Sequence, residues 1–413
     1  MCYTQSRFKA LISACVMSLI ATAGWSQSLT WLGTLPGGDW SLAYGVSADG
    51  AVVVGMAKNA AGYVRAFRWT ASGGMQDLGT LGGSESKAYG VSADGAVVVG
   101  VAINAAWDAR AFRWTASGGM QDLGTLGGCC SEAYGVSADG AVVVGMAINA
   151  AGLWRAFRWT ASGGMRNLGT LPGYDRSYAY DVSADGSVVV GWAENTARRS
   201  RAFRWTASGG MQDLGTLGGD WSEAWGVSAD GAVVVGVAIN AAGYDRAFRW
   251  TASGGMRNLG TLGGYQSWAW GVSADGAVVV GWARNAAWHA RAFRWTPSRG
   301  MEDLNITYAR LLTNGSVLEE ATAISFNGRY IVGRGYNAAT RRYEAFLLDT
   351  QPSCTAHNGD VDSNGCVDDA DLLAVLFAFG GTGSNLGRVD VNCDGVVDDA
   401  DLLQVLFNFG SGC

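Results

Sequence analysis

Hydrophobic and polar positions in this chain fall into a unit of about 45 residues that begins at Leu32, Leu78, Leu123, Leu168, Leu214 and Leu259 and recurs, more worn, from Leu304 to Asp349. Each copy holds four short runs of strand character between turn signals. In the first copy these are Ala43-Tyr-Gly-Val-Ser47, the almost continuous apolar run Ala51-Val-Val-Val-Gly55, the alternating run Arg65-Ala-Phe-Arg-Trp-Thr70, and Met75-Gln-Asp-Leu-Gly-Thr-Leu81. Four strands in so short a unit match a propeller blade and exceed the coil of a solenoid. The expected fold is all-β: a seven-bladed propeller over residues 29–349, followed by a small helical module.

The ends of the array indicate how such a ring closes. Leu29-Thr-Trp-Leu-Gly-Thr-Leu35 matches the fourth run of a copy but precedes any first run, while the last copy stops after its third, Tyr343–Asp349. Pairing the two completes the seventh blade and removes two sheet edges. A ring closed in this way needs no partner, so a monomer is expected.

Charge recurs with the same period. Arg68, Arg113, Arg158, Arg204, Arg249 and Arg294 lie on third strands, and Asp77, Asp122, Asn167, Asp213, Asn258 and Asp303 on fourth strands. The expectation is an Arg-to-acceptor pair within each blade, lost as a pair in the seventh copy, where Leu347 and Trp31 take the two positions. The alternation in Phe67-Arg-Trp69 puts both rings on one face, as blade packing requires.

Variation between copies is uneven. The Ser-Ala-Asp-Gly and Thr-Ala-Ser-Gly-Gly turns barely change, and Asp-Gly there is hairpin chemistry. The connections from strand 4 to 1 and from strand 2 to 3 vary, and in an up-and-down blade both emerge on one rim. Variable loops on a rigid scaffold are where binding is built. They contribute Trp40, Tyr174, Asp175, Trp221 and Trp268 from the first set, and Tyr63, Trp107, Asp108, Trp154, Tyr244, Asp245 and Trp288 from the second. Aromatic faces beside carboxylates suit the apolar face and hydroxyls of a sugar, so these twelve are the candidate ligand site.

Composition narrows the class. The chain has 413 residues, a formal charge of −6 and only two histidines, His289 and His357. From Gln351 onward there are ten Asp and one Arg, leaving a nearly neutral propeller that does not read as a nucleic-acid binder. With so few histidines, His-based triads and His-rich metal sites find little material. Residues 1–23, with Arg7 and Lys9 before the apolar run Ala10–Ala23, read as a secretory signal too short to span a bilayer. No later run is long enough for a membrane helix, so the expected location is extracellular or at the cell surface. Cys129-Cys130 in a rim loop can be a vicinal bridge or two thiols.

The strongest chemical motif lies in the tail. Asp360-x-Asp362-x-Asn364-Gly365-Cys366-x-Asp368-x-x-Asp371 returns thirty residues later as Asp390-x-Asn392-x-Asp394-Gly395-Val396-x-Asp398-x-x-Asp401. Side-chain oxygens at loop positions 1, 3, 5, 9 and 12, a backbone carbonyl at position 7 (Cys366, Val396) and Gly at position 6 are the parts of an oxygen-coordinated Ca²⁺ site. Two ions are expected. Residues 350–359 read as a linker and 360–413 as the module. So small a module buries little core, so calcium and bridges among Cys354, Cys366, Cys393 and Cys413 should stabilise it.

Two families are resembled. The propeller repeat, with Arg65-Ala-Phe-Arg-Trp after Val-Val-Val-Gly, resembles the HAF-type extracellular repeat, with Arg in place of its His in six copies and Glu344 in the seventh. That resemblance implies an extracellular setting and no established activity. The tail, with Asp at position 12 and one helix after each loop, resembles a type I dockerin. This implies a cohesin-type partner, although Asp369-Ala370 and Asp399-Ala400 stand where dockerins usually carry small hydroxyl residues. The symmetric dockerin fold implies the pairs Cys354–Cys413 and Cys366–Cys393. Together these features describe a secreted binding or scaffold-attached protein with a possible glycan at the rim. The rivals are a polysaccharide-degrading enzyme, with Asp108, Asp175, Asp220 and Asp245 as rim carboxylates, and a purely structural surface protein.

Overall fold

The computed structural model describes residues 27–350, 357–382, 386–393 and 396–413. The signal segment 1–23, Cys354 and Asp394 lie outside the described residues, as does most of the 350–359 linker. The chain divides into two compact units, Leu29–Asp349 and a C-terminal unit from Thr350 to Cys413.

The larger unit is a seven-bladed propeller of four-stranded antiparallel sheets. Blade 1 runs Ser41–Val46, Val53–Lys58, Val64–Thr70 and Gly74–Asp77, and the next five repeat that order through Asp303. Blade 7 is Val317–Ile324, Tyr330–Asn337, Arg342–Asp349 and, as its outer strand, Ser28–Trp31 from the other end of the array. The first strand of each blade lines the axis and the fourth is outermost. Between blades lie clusters built from the Val-Val-Val run, the Phe and Trp of the third strand and the Leu after the fourth, as in Val97, Val143, Phe157, Trp159 and Leu123. Phe67, Phe112, Phe157, Phe203, Phe248, Phe293 and Phe346 are all fully buried.

One serine clasps each of the five junctions from blade 1 to blade 6. Ser86 Oγ accepts from Ala66 N of the preceding blade at 3.0 Å and donates to Gly79 O at 2.6 Å. Ser131, Ser177, Ser222 and Ser267 repeat both bonds. The closing junction uses the same device: Ser41 Oγ accepts from Ala345 N at 2.8 Å and donates to Gly33 O at 2.5 Å. Leu32 N also donates to Ala345 O as Leu78 N does to Ala66 O. The ring therefore closes as expected, with Trp31 edge-on to Phe346 at 6.3 Å.

The expected pairing within blades is corrected. Asp77 sits opposite Phe67, and Arg68 opposite Gln76, so the acceptor and the guanidinium point to opposite faces of the sheet. Each acceptor instead takes the backbone N–H two residues on at 2.8 Å, from Gly79 to Asn305. That bond needs one side-chain oxygen and no charge, so Asn167 and Asn258 serve equally. The arginines reach across blades: Arg113, Arg158, Arg204 and Arg249 donate to Gly140 O, Gly186 O, Gly231 O and Gly276 O in the next Asp-Gly turn, at 2.9–3.4 Å.

In the C-terminal unit the two loops lead into the helices Asp369–Ala378 and Asp399–Phe407. Val367, Val375, Val391, Val397 and Val405 form its small core. The strand-like exchange is reciprocal. Val367 N donates to Ser411 O and Gly410 N to Val367 O, while Val397 N donates to Gly381 O and Gly380 N to Val397 O. This places the segment after the second helix beside the first loop, which corrects the expected disulfides. Cys413 pairs with Cys366 at a Cα separation of 4.6 Å, so neither Cys354–Cys413 nor Cys366–Cys393 forms.

Candidate functional site

The varying connections do share one rim. The strand 2 to 3 turn is held by an Asn whose Oδ1 accepts two backbone N–H groups, as Asn285 does from Ala287 and His289 at 3.0 Å. Its tightest residue is left-handed. Gly62, Gly152 and Gly243 supply this at φ 76–81°, but Trp107 and Trp288 occupy the same position at φ 66°. A bulky side chain there is strained by about 1 kcal/mol or more. Both indoles stand outward, Trp107 76% and Trp288 61% exposed.

The twelve candidates do not converge on one place. Trp40, Trp154 and Asp175 are half-buried, and Tyr174 packs on the core between blades 3 and 4. Tyr63 and Trp107 are exposed without a neighbouring ring among the described residues. Asp108 pairs with Arg110 at 3.3 Å, and Asp220 with Arg199 at 3.5 Å. Cys129 and Cys130 are free thiols with sulfurs 2.7 Å apart.

Blades 5 to 7 differ. Tyr244, Tyr265 and Trp288 form a row with centroids 6.1 and 4.4 Å apart. A shallow cavity of about 530 Å³ follows, lined by Trp288, His289, Arg291, Glu319, Tyr336 and Tyr343. Trp268 lies toward the axis, 6.0 Å from Trp221 and 6.2 Å from Trp282. Polar side chains connect the rings: Gln266 donates to Asp245 at 3.2 Å, and Arg284 donates to Gln266 at 3.1 Å and to Trp288 O at 2.6 Å. Trp221, Tyr244, Asp245, Trp268 and Trp288 are thus brought into one sector. Tyr265, Tyr336 and Tyr343 join it although the sequence did not single them out. Tyr265 stands in a variable connection, where that signal was available.

A second feature follows the axis. The residue after Ala in the Ala-Tyr-Gly-Val run points into the channel, giving Tyr44, Tyr89, Tyr134, Tyr180, Trp225 and Trp270, with Thr322 in the seventh blade. Two residues earlier on the same strands, toward the variable rim, stand Glu132, Glu223 and Glu320. Burial pushes the Tyr44 hydroxyl up to about 12, and Tyr134 donates to Glu132 at 2.7 Å. Asp181 replaces the Gly of five other copies, the seventh having Ala323, and accepts from Val182 N and Val227 N at 2.8 and 2.9 Å, yet burial raises its carboxyl to about 7. Burial, then Glu194 and Asp245, raises Glu223 to about 8.

In the tail, Asp360, Asp362 and Asp371 present oxygens within 4.8 Å of one another, an arrangement able to hold a metal ion. Asp371 also accepts from Val361, Asp362 and Asp368 N, and these bonds hold its carboxyl below the usual range against the opposing effect of burial. Asn364 donates to Asp362 at 3.0 Å. Asp368 caps the first helix through Ala370 N, and Asp398 does the same for the second through Ala400 N. In the second loop Asp401 accepts from Asn392 N and Asp398 N at 3.0 Å, and Asp390 is buried.

The fold is that of a seven-bladed β-propeller protein. No protein-family model and no curated protein sequence matches the chain. Among solved structures it is similar to TolB from Acinetobacter baumannii, at 12% identity and a TM-score of 0.43 over 74% of this chain and 65% of that one. It is also similar to hydrazine synthase from Kuenenia stuttgartiensis, at 12% identity and 0.43 over 76% and 96%, and to dipeptidyl peptidase 4 from Porphyromonas gingivalis, at 12% and 0.41 over 72% and 51%. The chain spans less than two thirds of the first of these, and similarity at this level assigns no activity. No helix among the described residues is long and apolar enough to cross a membrane.

Proposed function

We propose that the chain is an exported binding protein that holds a glycan on the rim of blades 5 to 7 and carries a calcium-stabilised docking module at its C-terminus. The observation that supports the first part is the row Tyr244, Tyr265 and Trp288 beside the Asp245–Gln266–Arg284 network. Rings stack on the apolar face of a sugar, and side-chain amide, carboxylate and guanidinium groups meet its hydroxyls. The strained Trp288 turn fits a side chain kept for contact, since burial gives it little. Affinity electrophoresis against a panel of polysaccharides tests the reading: at least one should retard the wild type, and Trp288→Ala should relax that retardation.

In the tail the donor set is all oxygen, which suits a hard cation, and the spacing repeats in both loops. One Ca²⁺ would be held by Asp360, Asp362, Asn364, Asp371 and the Cys366 carbonyl, the other by the matching residues from Asp390 to Asp401. Each helix also leaves an apolar face outward, with Phe377 88% and Phe407 79% exposed. Those faces suit a cohesin-type partner. Phe377→Ser with Phe407→Ser is expected to abolish capture by an immobilised cohesin domain while calcium binding is kept. Export accords with the Cys366–Cys413 bridge, which persists in an oxidising compartment.

A further inference from the structure

The axial channel encloses about 480 Å³, within the range of small-molecule sites. Its lining runs from Leu42 and Glu320, at the variable-rim end of the first strands, to Ala184, Ala229, Ala274 and Phe326 beside the Asp-Gly turns. Six aromatic side chains follow one another from blade 1 to blade 6, with centroid separations of 5.2, 4.8, 4.6, 4.2 and 4.9 Å from Tyr44 through to Trp270. Blade 7 breaks the arc. Thr322 stands in the seventh place and turns its hydroxyl to Ala43 O and Val332 O, so among the described residues Tyr44 and Trp270 have no ring neighbour on that side.

Charge along this wall has one sign. Glu320 and Asp181 line the channel, and no Lys, Arg or His does. At the mouth Glu132 and Glu223 hold the same strand position as Glu320, against Lys87 in blade 2. Arg334, one strand farther from the axis, is shared by Glu320 at 3.1 Å and Glu319 at 3.7 Å, so two carboxylates divide one guanidinium. Burial raises the Asp181 and Glu223 carboxyls, which leaves Glu320 and Glu132 to carry most of the charge near neutral pH. Aromatic faces attract a cation through the ring quadrupole, most strongly where water is displaced, and carboxylates add to that attraction. A bare metal ion is poorly served, because among the described residues three acidic ligand atoms converge in the tail, at Asp360, Asp362 and Asp371, and not here.

We infer that the channel binds an organic ammonium ion, a quaternary or alkylated amine, seated in the open seventh place between Tyr44 and Trp270 beside Glu320. Its alkyl groups lie against the ends of the aromatic arc, and its charge faces the one carboxylate that lines that part of the wall. The volume leaves room for a short substituent on the nitrogen. This site is distinct from the glycan row on the rim and does not depend on it.

Isothermal calorimetry on the full chain at constant ionic strength, with choline and tetramethylammonium as probes, tests this without any substitution. At least one of the two should bind saturably. The alcohol 3,3-dimethyl-1-butanol, which keeps the shape of choline and lacks its charge, should bind about tenfold more weakly or not at all. Glu320→Gln keeps the rings and should weaken the ammonium about fivefold. Thr322→Tyr fills the seventh place with a ring and should weaken it at least about tenfold, with circular dichroism to confirm the fold; should that variant not fold, the neutral isostere and Glu320→Gln still decide. No saturable binding of either ammonium, equal affinity for the neutral isostere, or unchanged affinity in either folded variant would overturn the inference.

Discussion

In the propeller, the packing residues that recur from copy to copy are buried, and most of the variation between copies lies on one rim. Phe67 and its equivalents, the clasping serines and the Asp-Gly turns repeat because each junction poses the same packing problem. Trp288 and Tyr265 stand out against most of their equivalents, among them Gly62, Gly152 and Gly243 for the first and Ser84 and Cys129 for the second, while Trp107 repeats Trp288. The C-terminal unit reverses this. There the copied residues are the proposed chemistry, and two loops with one spacing imply two ions of one kind. A repeat therefore marks structure where each copy must pack against the next, and function where each copy must bind the same thing.

The largest test separates the two units. Deleting residues 27–36 removes the outer strand of blade 7 and the Leu32 and Gly33 contacts to Ala345 and Ser41. The propeller should then lose its cooperative thermal transition, while the calcium response of the tail persists. An unchanged melt would show that the ring does not depend on that closure.

Calcium removal is the converse experiment. Chelation should melt the tail helices, because Asp360, Asp362 and Asp371 lie within 4.8 Å and repel one another without a cation, yet it should leave the propeller transition in place. Calorimetry on the full chain should count two ions, and Asp371→Ala should leave one. A propeller melting temperature that follows calcium would erase the contrast between the units.

A smaller effect is expected at the channel mouth. Glu223 titrates at about 8 in the fold against an ordinary 4.5, so between those values the native state holds a proton that the unfolded chain has released. Stability should fall as pH rises across that window and level off above it. Glu223→Gln should therefore melt roughly 3 °C higher than wild type at pH 9 and alongside it at pH 4. Asp181, raised from 3.8 to about 7, should leave a residual slope below pH 7 in that variant. Equal slopes in both proteins would mean that Glu223 is solvated in solution.

Much of this was legible in the sequence. Period, strand count and the displaced first strand were enough for the seven blades and their closure, because a repeat length and a missing edge admit few solutions. The pairing of Arg68 with Asp77 was misread because a fourth strand of four residues does not reveal its register, and register decides which face a side chain takes. The channel arc went unseen for a related reason: alternation puts Tyr44 on one face of its strand without saying that this face borders the axis. The Cys366–Cys413 bridge depends on the exchange between Val367 and Ser411, which joins segments far apart in the chain. The rim residues were found as a class, but their gathering on blades 5 to 7 needed the curvature of the ring.

The central claim is that binding belongs to that sector and not to exposed aromatics in general. Trp107 and Trp288 hold the same strained turn position, and Trp107 is the more exposed. Affinity electrophoresis of Trp107→Ala and Trp288→Ala, against whichever polysaccharide retards the wild type, compares them on equal terms. Loss of the stacked ring at Trp288 should cost on the order of 1 kcal/mol, or roughly fivefold to tenfold in affinity, with Trp107→Ala indistinguishable from wild type. Equal weakening by both substitutions, or by neither, would contradict the account.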